Sequence, residues 1–173
     1  MAVLPILKYP EPLLKEKSRP VEHFDDDLKK LAADMAETML EAPGAGLAAP
    51  QVGRLVRMIV IAGAENDEDF DERVITLVNP RIVRAEGKQV YNEGCLSVLD
   101  FNENVVRAAE VLVEAQDLEG NPLKIQADGR RAVILQHEID HLDGILFIDH
   151  LSSLKRDIYK RKLKKQMKDE TDD

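Results

Sequence analysis

Between Arg130 and Leu142, the residues Ala132, Val133, Ile134, Leu135, Ile139 and Leu142 occupy almost every direction around a helical turn. A helix apolar on all sides has no face to offer solvent, so this segment is predicted to form a buried central helix with the rest of the chain wrapped around it. The same segment carries His137, Glu138 and His141. Such side chains are costly in an apolar interior unless they are paired, hydrogen-bonded or coordinated. His137 and His141 stand four residues apart and project from one face, one above the other, a spacing that can chelate a metal ion. Glu138 lies about 100° around the helix. That is off the ligand plane yet within reach of a water held by the ion, where a general base belongs. The competing reading is a hydrogen-bonded core cluster.

A catalytic ion of the zinc type takes three protein ligands and keeps one position for water, so a third donor must come from elsewhere. No H-E-x-x-H-x-x-G-x-x-H extension follows His141, and His150 falls outside the spacing it requires. His23, beside Phe24 and a run of aspartates, reads as a surface histidine. Cys95, in Glu93-Gly94-Cys95-Leu96-Ser97, is the best remaining donor, because Gly94 frees the backbone and the ion would hold the sulfur as thiolate. It is the only cysteine, which excludes an internal disulfide and suits a reducing compartment. Its plain alternative is a small buried hydrophobe.

The remaining pattern is a mixture of short strands and two further helices. Pro5, Pro10, Pro12 and Pro20 predict an extended, turn-rich arm. Leu28, Leu31, Met35 and Met39 recur at helical spacing from about Asp25 to Glu41, where Pro43 and Gly44 end an amphipathic helix. The small residues from Gly44 to Gln51 let the backbone pass close to something, or simply make a tight turn. β-Branched runs at Val56 to Ala62 and Val74 to Val78 predict strands joined by an acidic loop over residues 65–72. Val105 to Ala115 and Leu123 to Ile125 flank the turn formers Asp117 to Pro122 and predict an antiparallel hairpin. Gly144 stops the apolar helix, and Leu154, Ile158, Leu163 and Met167 predict a last helix with an apolar stripe. The expected fold is α+β, with antiparallel strands packed around the central helix, an N-terminal amphipathic helix and a C-terminal helix.

At 173 residues the chain suits one domain, 1–173. Its 44% hydrophobic and 33% charged residues are those of a globular protein rather than a disordered one. No run approaches the roughly 20 apolar residues that span a bilayer, and the first residues lack the features of a signal peptide. A cytoplasmic location without membrane attachment is therefore expected. A net charge of −9 argues against a globally basic nucleic-acid binder, DNA included. Residues 154–173 depart from that balance: Leu154 to Lys168 holds eight basic residues and one acidic, before a short acidic tail.

Taken together, the segments Gly44 to Gln51, Glu93 to Ser97 and Gln136 to Gly144 resemble the three signature motifs of the peptide deformylases, in the same order. The arm Leu7 to Leu14, the strand Val74 to Pro80 and the segment after Gly144 are similar to that family as well, so the resemblance covers nearly the whole chain. It implies removal of the formyl group from the N-terminal formyl-methionine of newly made polypeptides. One divalent metal ion is implied, natively Fe(II), with Zn, Ni or Co able to replace it. By the same resemblance Cys95, His137 and His141 are the ligands and Glu138 is the general base. Gln51 and the backbone N–H of Leu96 become the oxyanion donors. Gly44, Ala45, Gly46 and Leu47 would line the substrate backbone beside Gly94, and Val133 and Ile134, with Leu47, would wall an apolar slot for methionine. A ribosomal contact through the basic C-terminal helix would suit that biology. Two departures concern the groove: Val98-Leu99-Asp100 replaces a Pro-containing segment common in the family, and Ala45 replaces a larger aliphatic residue. Two other classes remain in view: a zincin-like endopeptidase, which would lack the thiolate ligand, and a non-enzymatic RNA-binding protein with a structural ion, which would need a fourth ligand.

Overall fold

A computed structural model of the chain describes residues 2–63 and 74–171. Seven strands follow in sequence among these residues: β1 (Gly46–Ala48), β2 (Met58–Ala62), β3 (Val74–Glu86), β4 (Gln89–Cys95), β5 (Val98–Arg107), β6 (Glu110–Gln116) and β7 (Pro122–Asp128). They form an antiparallel five-stranded sheet in the order β1-β2-β3-β6-β7 and a two-stranded sheet of β4 and β5. Three α-helices accompany them among the described residues: α1 (Asp26–Glu41), α2 (Gly129–Leu142) and α3 (Ser153–Thr171). The fold is thus α+β with antiparallel sheets.

Helix α1 starts where Asp25 caps it, its carboxylate accepting from Leu28 N–H at 3.0 Å, with Asp26 and Asp27 in the first turn at the positive helix end. Leu28, Ala32, Met35 and Met39 make its buried stripe and pack on Met58, Val60 and Val78 of the large sheet. The intervening residues Ile59 and Ile61 point through the other face, where they meet Ala132, Leu135, Ile139 and Leu142 of α2. This period-two division of β2 makes one strand serve two cores. Burying each such aliphatic side chain stabilises the fold by about 1.5–3 kcal/mol. Helix α2 also touches β4 of the small sheet. A third cluster joins Val98 and Val105 of β5 to Phe147, Ile148, Leu151 and Tyr159.

Three features differ from the sequence expectations. Strand β3 does not end at Val78 but continues to Glu86, because Asn79 takes a positive φ of 51° and makes an irregularity in the pairing with β6 rather than a stop. The Asn79 amide is held there by Val21 and by Gln116 Oε1 (2.8 Å). Asp117 to Pro122 does join an antiparallel pair, yet residues 105–107 belong to β5 of the other sheet. The stripe expected on α3 is largely outside: Leu154, Ile158 and Met167 are about half exposed or more, and Tyr159 carries the burial instead. The acidic segment at residues 65–72 lies outside the described residues. No helix among those described is long and apolar enough to cross a membrane.

Candidate metal centre

The second half of α2 carries His137 and His141 four residues apart, and Cys95 arrives beside them from the end of β4, just before the tight turn into β5. Cys95 Sγ lies 3.4 Å from His141 Nε2, and the two imidazole Nε2 atoms are 3.2 Å apart. The three donor atoms all fall within 4.8 Å of one another. A tetrahedral ion with nitrogen arms near 2.0–2.1 Å and a sulfur arm near 2.3 Å has ligand–ligand edges of roughly 3.3–3.6 Å, so this donor set fits one divalent ion. The chemistry of the donors agrees: two imidazoles and a thiolate suit zinc or iron.

Of the three candidate ligands, His137 is the one set in place by a side-chain network. His137 Nδ1 lies 2.9 Å from Glu93 Oε1, which leaves Nε2 directed at the ligand triangle. Glu93 is gripped in turn by a two-point contact from Arg107, whose Nε and Nη2 donate at 2.7 and 2.8 Å. Arg107 Nη1 reaches Asp140 Oδ2 at 2.6 Å, and His150 Nε2 sits 2.8 Å from the same oxygen. Burial alone would raise the Glu93 carboxyl, but the Arg107 and His137 contacts outweigh it and hold it at about 2. Burial also works against charge on His137, and the neighbouring Cys95 sulfur and Glu93 overcome it, placing its pKa well above the usual histidine range. His141 goes the other way: burial and the charge of His137 push it well below that range, so it remains a neutral donor.

Glu138 is buried beside these three side chains, with one carboxylate oxygen 3.7 Å from His137 Nε2 and the other without a hydrogen-bond partner among the described residues. Burial raises its carboxyl to about 7, in the range where a group can both take and return a proton. Strand β1 runs directly over it, and a Cβ at Gly46 would stand only 2.8 Å from Glu138 Cγ. Gln51 is fixed by its own oxygen, which accepts from Ala48 N–H at 2.9 Å. That turns Nε2 toward Ser97 Oγ (3.1 Å) and Cys95 Sγ (3.6 Å), a donor aimed at the centre.

A cavity of about 410 Å³ opens onto Gln51, Cys95, His137 and Glu138, and Gly44, Ala45, Gly46, Gly94, Leu96, Val133 and Ile134 all line it. Leu47 does not. Its side chain is fully buried on the α1 side of the sheet, because alternation along β1 sends Gly46 toward α2 and its neighbour the opposite way. Strand β1 is an edge of the large sheet. Ala45 O accepts from Ala62 N–H, so the main-chain groups of Gly46 turn to the free edge beside the cavity, while the Ala48 N–H on the same edge is taken by Gln51. His23 is exposed and is not part of this donor group or of the cavity lining.

The sequence profile of the polypeptide deformylase family matches residues 3–157. The chain belongs to that family. A peptide deformylase of Desulfotalea psychrophila is 49% identical over 95% of this chain and 97% of its own length. One of Brucella suis is 50% identical over 95% of this chain and 94% of its own length. Among solved structures, the peptide deformylase of Legionella pneumophila superimposes with a TM-score of 0.88 at 44% identity, covering 98% of both chains. That of Ehrlichia chaffeensis in complex with actinonin gives 0.88 at 40% identity, over 96% of this chain and 98% of the other. The chain is accordingly a metal-dependent hydrolase that removes the N-formyl group from newly made polypeptides.

Around this deformylase centre, sequence reading missed Arg107, Asp140, Ser97 and His150. Arg107 lies 14 residues from Glu93 and 33 from Asp140, with no motif linking them. The one available signal was an arginine within an otherwise apolar strand segment, Val105-Val106-Arg107-Ala108-Ala109, where a charge needs a partner.

Proposed function

We propose that Cys95, His137 and His141 hold one divalent ion, natively Fe(II) and replaceable by Zn, Ni or Co, and that the site hydrolyses formyl-methionyl chains. The observation that carries this reading is the convergence of one sulfur and two imidazole nitrogens beside a buried carboxyl and an inward-facing amide. Bound there, the ion supplies Lewis-acid chemistry, polarising the formyl carbonyl and making water a nucleophile at neutral pH. Glu138 takes the proton of the attacking water and passes it to the departing amine. The Gln51 amide and the Leu96 N–H donate to the oxygen on which charge collects. In this reading α2 is the central helix of a single catalytic domain, 1–173, working in the cytoplasm.

The free edge of β1 supports a substrate that adds as an extended strand beside Gly44 to Leu47, bound through main-chain groups indifferent to sequence. Val133 and Ile134 wall the methionine slot, with Leu96 in place of the Leu47 side chain. Metal-loaded protein should release a free amine from formyl-Met-Ala-Ser and leave a longer unformylated peptide intact; the reverse pattern supports an endopeptidase. Gln51→Ala should lower kcat on that peptide by about 100-fold with the metal retained, as expected for loss of one oxyanion donor. A loss below threefold removes Gln51 from that role.

The exposed cations of α3, Lys160, Arg161, Lys164 and Lys165, support a contact with ribosomal RNA. Deleting the helix is a poor test, because Tyr159 is core. Replacing those four with glutamine should weaken co-sedimentation with ribosomes at low salt while peptide hydrolysis continues. Unchanged sedimentation would remove the idea.

A further inference from the structure

One helical face of α2 lines the cavity from end to end: Arg130, Val133, Ile134 and His137 stand at i, i+3, i+4 and i+7. Arg130 is the one lysine or arginine lining the cavity among the described residues. Its position is locally unfavourable. Arg130 and Arg131 occupy the first turn of α2, where the helix presents its positive end, with no acidic residue in that turn and no side-chain bond from the N-cap Asp128. Local choices that work against the fold are expected at functional sites.

We propose that Arg130 is a specificity-determining residue that favours formyl-methionyl chains with an acidic side chain at the third position. This rests on the hydrolytic reading of the same site. In an extended strand the side chains of residues one and three share a face, about 6.5–7 Å apart. Four helical residues, from Ile134 back to Arg130, span about 6 Å. A methionine side chain against Val133 and Ile134 therefore sets the third side chain beside Arg130, and the second side chain on the opposite face. A carboxylate there meets a cation at the positive end of a helix, and an ammonium group is repelled.

The test uses metal-loaded protein and C-terminally amidated peptides, so that the third side chain carries the only variable charge: formyl-Met-Ala-Glu, formyl-Met-Ala-Gln and formyl-Met-Ala-Lys amides. The kcat/KM ratio of Glu over Lys is expected to be about three- to fivefold at low ionic strength, the worth of an exposed ion pair, and to shrink with salt. Arg130→Gln should bring the ratio close to one and Arg130→Glu should invert it. Ratios are taken within each enzyme, so a general loss of activity cancels. A wild-type ratio near one, a ratio unchanged in Arg130→Gln, or an equal preference for glutamate at position two each overturns the inference while leaving the hydrolytic reading intact. Failure to hydrolyse even the neutral glutamine peptide overturns both.

Discussion

Glu138→Gln is expected to lower kcat on a formyl-methionyl peptide by about 10²–10⁴-fold, the usual worth of a positioned acid–base group, while metal content stays at one ion per chain. The substitution keeps shape and volume in a buried site, so packing under β1 should be unaffected. What is lost is a carboxyl that burial has lifted to about 7 and whose second oxygen has no hydrogen-bond partner among the described residues. Glutamine can still accept a hydrogen bond, but it cannot take a proton from water or return one to an amine. Steady-state kinetics with elemental analysis of the same preparation checks this. A variant that keeps a tenth of wild-type turnover would show that Glu138 is not the proton carrier.

Arg107→Met should be the most damaging change outside the ligand set. Methionine fills much of the same volume, yet Glu93 is left buried with its charge unpaired, and breaking one partner out of a buried pair typically costs about 3–5 kcal/mol. In a domain of this size that corresponds to a fall in Tm of roughly 10 °C. Because Glu93 orients His137, metal affinity should also drop by about 10–100-fold. The pH dependence has a definite sign. The folded Glu93 carboxyl sits at about 2, below its ordinary 4.5, so its stabilising contribution is complete above about 4.5 and disappears as pH falls toward 2. In Arg107→Met that contribution is absent, so the gap between variant and wild type should narrow as the pH is lowered through this interval. Adding Glu93→Gln should recover much of the lost stability but not the metal affinity. Urea unfolding at several pH values checks the first claim and metal competition the second; a cost below 1 kcal/mol with unchanged affinity contradicts the account of the pair.

How far each part of the site could be read from sequence depends on the range of the signal. The α2 segment was legible because its apolar residues and its His137–His141 spacing both follow a single local period. The closeness of Cys95 to the two imidazoles could be anticipated by elimination, since only one thiol exists and the other histidines lack suitable spacing. The Glu93–Arg107–Asp140–His150 chain was not, because it is assembled from β4, β5, α2 and the turn after it by tertiary packing, which leaves no periodic trace. His150 is instructive: its spacing rules it out of a ligand motif, yet it ends up beside Asp140 in the supporting network. Leu47 shows the opposite error, in which the right segment was chosen but the face was not, because a three-residue strand between glycine and alanine gives too little alternation to set its parity. On α3, leucine and isoleucine at helical spacing suggested burial, whereas much of the helix is solvated and, among its described side chains, Tyr159 and Leu163 are the ones that reach the core.

The claim on which the rest depends is that one thiolate and two imidazoles share a single ion. Cobalt(II) loaded into metal-free protein tests it most directly, because a cobalt–thiolate bond gives a near-ultraviolet charge-transfer band that nitrogen and oxygen ligands do not. One cobalt per chain is predicted, with that band present in the wild type, absent in Cys95→Asp, and accompanied by a visible spectrum of tetrahedral intensity that His141→Ala abolishes. A band that persists without Cys95, or one cobalt bound equally well after loss of either imidazole, would contradict it.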